Sequence, residues 1–240
     1  MRNIVLIVLL LVLISCEQKP GKPHNKEADF VENGVVKQYD KQNRLVGEVT
    51  FRNGVRNGIT RIYYTSGVLS DEIMFVDDEK SGIAKKYHKN GKIYSLTPYV
   101  RDEKDGIQKK YYGNGKIWAE TPYLKGEPGI GLKEYKRDGS LREKFPSIEV
   151  QKFIAKDRVE LKFFLSNYSK RVVFYVSDLI KGKYIPPMAK PMFSEGGAVQ
   201  YVIPLNENIG LDTTINIVAK YQTRDYNIYI TQQKYQVIVN

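Results

Sequence analysis

The chain has little of what nucleophilic, redox and metal chemistry draws on. Its 240 residues include one cysteine, Cys16, and two histidines, His24 and His88, which excludes a disulfide framework and any Cys/His spacing of a zinc site. A Gly-rich phosphate loop and a nucleophile elbow are also absent. No catalytic residue is therefore assigned, and no cofactor or metal is expected; a carboxylate pair facing across a sheet is the one hydrolytic arrangement left open. Blocks of like charge are missing too. The net charge of +11 comes from 38 Lys+Arg set among 27 Asp+Glu, interspersed as on a solvated surface rather than gathered into a nucleic-acid-binding tail. The apolar run Ile4 to Ile14 has eleven residues, too few for a mature helix that needs about 20 to cross a bilayer.

Tyrosine and phenylalanine are plentiful, at 18 and 9, and both favour strands. They fall in columns. In rows of 24 residues Tyr39, Tyr63, Tyr87, Tyr111 and Tyr135 align, followed four residues later by Asn43, Gly67, Gly91, Gly115 and Gly139. An aliphatic column, Leu45, Leu69, Ile93, Ile117 and Leu141, precedes an aromatic one, Phe51, Phe75, Tyr99 and Tyr123, which lapses at Ser147. Gly34, Gly58, Gly82 and Gly106 open the rows, and Ile130 stands at that place in the fifth. A fixed period with fixed columns marks a structural repeat.

Each row reads as a β-hairpin. Ser66-Gly67, Asn90-Gly91, Asn114-Gly115 and Asp138-Gly139 suit a tight two-residue turn with φ > 0. Pairing outward from Asn114-Gly115 sets Tyr112 against Ile117, Tyr111 against Trp118 and Lys109 against Glu120. The same columns oppose Lys37 to Glu48 and Arg61 to Glu72, whereas Lys85 with Leu96 and Lys133 with Lys144 depart from the pattern. Stacked hairpins would line up Tyr63, Tyr87, Tyr111 and Tyr135 with Trp118 beside them, a candidate binding face for a protein or glycan; tyrosines packing on one another to stabilise a thin sheet is the competing role. His88 stands where other rows have Tyr64 and Tyr112, so it reads as a column substitution before a functional residue.

The pattern G-x-x-x-x-Y-Y-x-N-G-K-I over these rows resembles the MORN-repeat family, in the variant found in bacterial proteins often labelled YwqK-like antitoxins. That resemblance implies an elongated, twisted antiparallel sheet of five stacked repeats over residues 30–147. It also implies a non-catalytic assembly or docking surface, or alternatively an antitoxin or immunity-like protein that neutralises a partner toxin.

The ends of the chain have other characters. Arg2 and the apolar run make residues 1–15 a signal peptide, and Leu13-Ile14-Ser15-Cys16 resembles the lipobox of bacterial lipoproteins, which implies lipidation of Cys16. The expected location is then the bacterial cell envelope, anchored to a membrane through that lipid, the outer membrane if the cell is Gram-negative. Residues 16–29 are polar with Pro20, Gly21 and Pro23, a flexible tether in which His24 would be solvent-exposed. After Pro146 the period stops. Seven strand-like segments with apolar alternation in residues 148–240 suggest a small immunoglobulin-like β-sandwich, with an irregular loop around Pro186, Pro187 and Pro191 as a further contact site. The whole is expected to be all-β.

Overall fold

The computed structural model describes residues 32–205 and 210–239; the signal segment, Cys16 and the tether with His24 lie outside the described residues. The chain is all-β. Its repeat half runs β1 (Gly34–Tyr39), β2 (Leu45–Arg52), β3 (Val55–Tyr63), β4 (Leu69–Val76), β5 (Glu79–Lys80), β6 (Gly82–Tyr87), β7 (Ile93–Val100), β8 (Glu103–Lys104), β9 (Gly106–Tyr111), β10 (Ile117–Leu124), β11 (Glu127–Pro128) and β12 (Lys133–Glu134). These form one twelve-stranded sheet whose main path is β1-β2-β3-β4-β6-β7-β9-β10-β11, each strand beside its predecessor apart from the two-residue strands.

The turns within rows differ from expectation by one residue. The Tyr112 N–H donates to the Lys116 carbonyl at 2.9 Å and the Gly115 N–H to the Tyr112 carbonyl at 2.8 Å. The loop therefore has three residues, a type I turn closed by a glycine in the left-handed region, with φ of 90° at Gly115 and 79° at Gly91. Tyr111 pairs with Ile117, not Trp118, and a bulge at Trp118 restores Lys109 to Glu120. The extra loop residue and the bulge cancel, so the outer register matches the one read from the charge pairs: Lys37 opposes Glu48 and Arg61 opposes Glu72. The true two-residue turns lie between rows, at Asn53-Gly54, Asp77-Asp78, Arg101-Asp102 and Lys125-Gly126, where both residues have positive φ, as type I′ requires.

The fifth row keeps its turn, with Lys136 N donating to Ser140 O at 2.8 Å, but its strands shrink to β12 and a lone Tyr135–Leu141 bridge. The cause is a change of partner. Gly129 bridges Tyr184 and the Ile130 N–H donates to the Lys183 carbonyl at 3.0 Å, so the chain turns to the C-terminal half where a further hairpin would begin. Lys133 keeps the pairing between rows, opposite Glu120 as Lys85 is opposite Glu72, while the strand pairing to Lys144 does not form.

The C-terminal half comprises β13 (Ile148–Ile154), β14 (Arg158–Leu165), β15 (Val172–Val176), β16 (Met192–Phe193), β17 (Ala198–Pro204), β18 (Leu211–Gln222) and β19 (Ile228–Val239). Sheets β13-β14-β17 and β16-β15-β18-β19 share one core, in which Leu161, Phe163 and Leu165 of the first meet Phe174, Ile217 and Val237 of the second. Apolar alternation suggests two strands, Tyr226 to Ile230 and Tyr235 to Val239, but β19 runs unbroken from Ile228 to Val239. Within the proline-containing loop Ile185 is buried with Val218 and Ile230, and Ile130 of the repeat half packs on that cluster, while Pro187 and Pro191 stay exposed.

Candidate functional site

Alternation of side chains assigns the two faces of the repeat sheet. One carries Lys37, Arg61, Lys85 and Lys109 with Glu48, Glu72 and Glu120, and two residues on from the cations, Tyr63, Tyr87 and Tyr111. Glu72 is bridged by Arg61 at 3.2 Å and by Lys85 at 2.9 Å, and Glu120 by Lys109 at 3.6 Å and Lys133 at 3.8 Å. The Lys85 and Arg61 contacts hold the Glu72 carboxyl below its usual range. Two hydroxyls of the tyrosine row are committed: Tyr63 donates to Glu48 at 2.8 Å and Tyr135 to Glu120 at 3.3 Å.

Trp118 belongs to the opposite face. Its bulge places it beside Ala119 and Lys110, and its ring stacks on Tyr112 with centroids 5.7 Å apart. The five residues expected to form one binding face are thus divided, four tyrosines on one side and Trp118 on the other. On the Trp118 face the middle of the sheet is lined by small or polar side chains, Thr60, Ala84, Ser95, Thr97, Gln108, Ala119 and Thr121, all buried. Aromatics border it. At one edge Phe75, Tyr99 and Tyr123 are each capped by a cation one row up, Arg56, Lys80 and Lys104, at 4.1, 5.4 and 4.7 Å. Burial pushes Tyr99 and Tyr123 up and Lys104 down from their ordinary pKa values.

At the other edge runs a hydrogen-bond ladder with a step of 23 residues. Tyr64 donates to the Tyr87 carbonyl at 2.6 Å, His88 Nε2 lies 2.9 Å from the Tyr111 carbonyl, and Tyr112 donates to the Tyr135 carbonyl at 2.7 Å. His88 takes the tyrosine's place in the ladder, and a carbonyl partner requires the proton on Nε2. Asn90 and Lys92 reach the Gly113 and Asn114 carbonyls, and Lys116 the Asp138 carbonyl, so the turns are stitched row to row.

Where the ladder meets the C-terminal half a cleft of about 520 Å³ opens, lined by His88, Tyr111, Tyr112, Trp118, Arg137 and Arg142, with Asp225 contributed by the C-terminal half. A second recess of about 350 Å³ adjoins it at His88, with Tyr64 and Tyr94 in its wall. Tyr94 touches His88 edge-on at 5.1 Å and Trp118 at 6.2 Å, so the aromatic lining continues from one recess to the next. Burial, with the Asp225 carboxylate adding to it, raises the pKa of Tyr112.

The floor of the junction is a buried polar network. Glu134, 1% exposed, accepts from Thr223 at 2.6 Å and from Asn227 at 2.7 Å. Arg142 Nε lies 3.2 Å from its other oxygen, and Arg142 Nη2 donates to Asp225 at 2.9 Å. Lys110 donates to Asn227 Oδ1 at 2.8 Å, its pKa lowered by burial and by repulsion from Lys104 against the pull of Glu134. Phe145 stacks on Tyr229 with centroids 4.4 Å apart. Sequence reasoning missed this network because its members stand about ninety residues apart.

Fold and site together define an all-β repeat protein with an aromatic cleft at one end of its sheet. Residues 80–101 and 104–125, the third and fourth rows, match the repeat family described as MORN repeat variant. No curated protein matches the chain. Among the described residues no group of three or more His, Cys, Asp or Glu is placed to hold a metal ion.

Proposed function

We propose that this protein is a non-catalytic binding module of the bacterial cell envelope, tethered through lipid on Cys16, and that the Trp118 face of its repeat sheet is the contact surface. Binding and scaffolding are common roles of MORN repeats, and the family is typically non-catalytic. The observation that carries the choice of face is the cleft itself. There half-buried aromatic rings border open space between two parts of the chain, the kind of concave, aromatic-lined site that ligands occupy. The tyrosine row of the other face spends hydroxyls of Tyr63 and Tyr135 on Glu48 and Glu120, which suits a role in holding the sheet together. Arg137 and Lys136 are exposed and can be changed without opening the core. Pull-down from solubilised envelopes with wild type, with Arg137→Ala and with Tyr87→Ala tests the assignment: partners lost with Arg137→Ala and kept with Tyr87→Ala support it, and the reverse pattern contradicts it. The tether is tested separately by metabolic labelling with a fatty-acid analogue, which should mark the wild type and not Cys16→Ala.

A further inference from the structure

The face of the repeat sheet that carries the tyrosine row also carries an apolar stripe that no described residue covers. Val35, Ile59, Ile83 and Ile107 form one column of it, two residues before the cations of their strands, and each keeps between 38% and 57% of its surface open. Directly opposite the first three in register stand Thr50, Met74 and Pro98, and Met74 is itself exposed. Glu72 pairs with Lys85 between rows, which sets Met74 beside Ile83, so the stripe crosses the strands without a break. At about 4.8 Å per strand it runs roughly 30 Å from β1 to β9. Val76 and Val100, exposed beside the turns between rows, widen it.

We infer that this stripe is a self-association surface: a second copy of the chain lays the same stripe against it, face to face, about a two-fold axis parallel to the stripe.

Area favours a copy. Seven apolar side chains left about half open expose on the order of 600 Å², as much as the largest patch that a monomer ordinarily leaves to water. Two copies bury about 1,200 Å² from these side chains alone, which reaches the size of a specific interface. Charge points the same way. Lys37, Arg61, Lys85 and Lys109, the column beside the stripe, are bridged to Glu48, Glu72 and Glu120 at 2.9 to 3.6 Å. The turns on its other side mix Asp77 and Asp78 with Arg101 and Lys125. The surround is therefore one of closed ion pairs and mixed signs, not the free basic rim that draws a protein onto anionic lipid. A copy meeting its own charges finds little repulsion there.

The repeat supplies the fit. Sheets pack face to face with their strands nearly aligned, and in both copies the rows recur about every 10 Å, so matching one row matches all. An axis along the stripe sets each row against itself, the isoleucine column of one copy against the Val76 and Val100 column of the other, and sends the two charged columns to opposite sides. Tyr87, four residues or about 13 Å along the strand from Ile83, stays outside the overlap. Both Trp118 faces point outward, so pairing leaves the clefts open.

The test is photocross-linking of the full-length chain in intact cells, with p-benzoylphenylalanine in place of Ile107 and two differently tagged copies expressed together. An adduct of twice the chain's mass that carries both tags is expected. Ile83→Lys in both copies should abolish it by setting like charges against each other, and Ile83→Glu in both should do the same. Ile83→Lys in one copy with Ile83→Glu in the other should restore it, a recovery that a merely misfolded variant would not show. Ile83 is exposed, so the thermal midpoints of the variants should match the wild type. No two-tag adduct from the wild-type stripe, adducts with a different protein or with lipid alone, or a Lys/Glu combination that fails to restore the adduct overturns the inference. None of these results touches the cleft, whose assignment stands or falls on Arg137.

Discussion

Replacing Glu134 with leucine removes the anion around which the two halves of the chain are joined. The side chain is 1% exposed, so neither Thr223 nor Asn227, donors at 2.6 and 2.7 Å, can turn to water in exchange. Arg142 loses a carboxylate 3.2 Å away and keeps only Asp225. Hydrogen bonds to a charged acceptor contribute about 1.5–3 kcal/mol each, but the two share one oxygen and do not add. Each buried donor left without an acceptor costs about 1–3 kcal/mol, while Arg142, 37% exposed and still paired with Asp225, adds little. A loss of about 4 kcal/mol follows, a large part of the 5–15 kcal/mol typical of a domain. Glutamine keeps an acceptor for Thr223 and Asn227, but a neutral one, so Glu134→Gln should cost about half as much, roughly 2 kcal/mol. The assay is urea unfolding followed by Trp118 emission, which reports the repeat half, and by far-UV circular dichroism, which reports the whole. Both probes should give one transition in the wild type and separate in Glu134→Leu, as the halves lose their coupling. A Glu134→Leu midpoint equal to that of the wild type, with the probes still coincident, would refute the reasoning.

Gly115, at φ of 90° with nothing within 4 Å of an added Cβ, should lose about 1–2 kcal/mol on change to valine through backbone conformation alone; Gly113→Ala, where φ is not positive and the nearest atom is Asn90 Nδ2 at 3.8 Å, should stay within about 0.5 kcal/mol, both read from urea midpoints. Gly126 also has positive φ, 82°, so valine there should destabilise as well. His88→Tyr should be nearly neutral in thermal unfolding, since Tyr64 and Tyr112 make the same bond in their rows, whereas His88→Phe should cost about 1 kcal/mol. The stability Glu72 contributes is fully present above the unfolded carboxylate pKa of about 4.3 and is lost as pH falls through its lowered folded value. The difference between wild type and Glu72→Gln, about 1 kcal/mol at neutral pH, should therefore shrink below pH ~5 and vanish in stronger acid; a difference independent of pH would show that the two bridges contribute nothing.

Features that recur were legible in the sequence, because four or five copies vote on each column. The period, the antiparallel sheet, the positive φ of Gly91 and Gly115, the outer charge pairs and the place of His88 in a tyrosine column all follow from that. The bulge was not legible: a three-residue loop plus a bulge gives the same outer register as a two-residue loop without one. That hidden residue is what carries Trp118 to the face away from Tyr111. The turns between rows escaped notice because Asp78 and Asp102 stand where Gly54 and Gly126 reveal the left-handed position. The closing of the fifth row depends on Tyr184, and the burial of Glu134 on Thr223 and Asn227, contacts between distant segments that no local pattern announces. In β19 the polar run Gln232, Gln233 and Lys234 interrupts the apolar alternation and made one long strand look like two.

The most direct measurement of which face binds is site-specific photocross-linking in intact cells, with p-benzoylphenylalanine placed at Arg137 on the cleft or at Tyr87 on the opposite face. Binding through the cleft predicts discrete high-mass adducts from position 137 and none from position 87; adducts from position 87 with none from position 137 would contradict it.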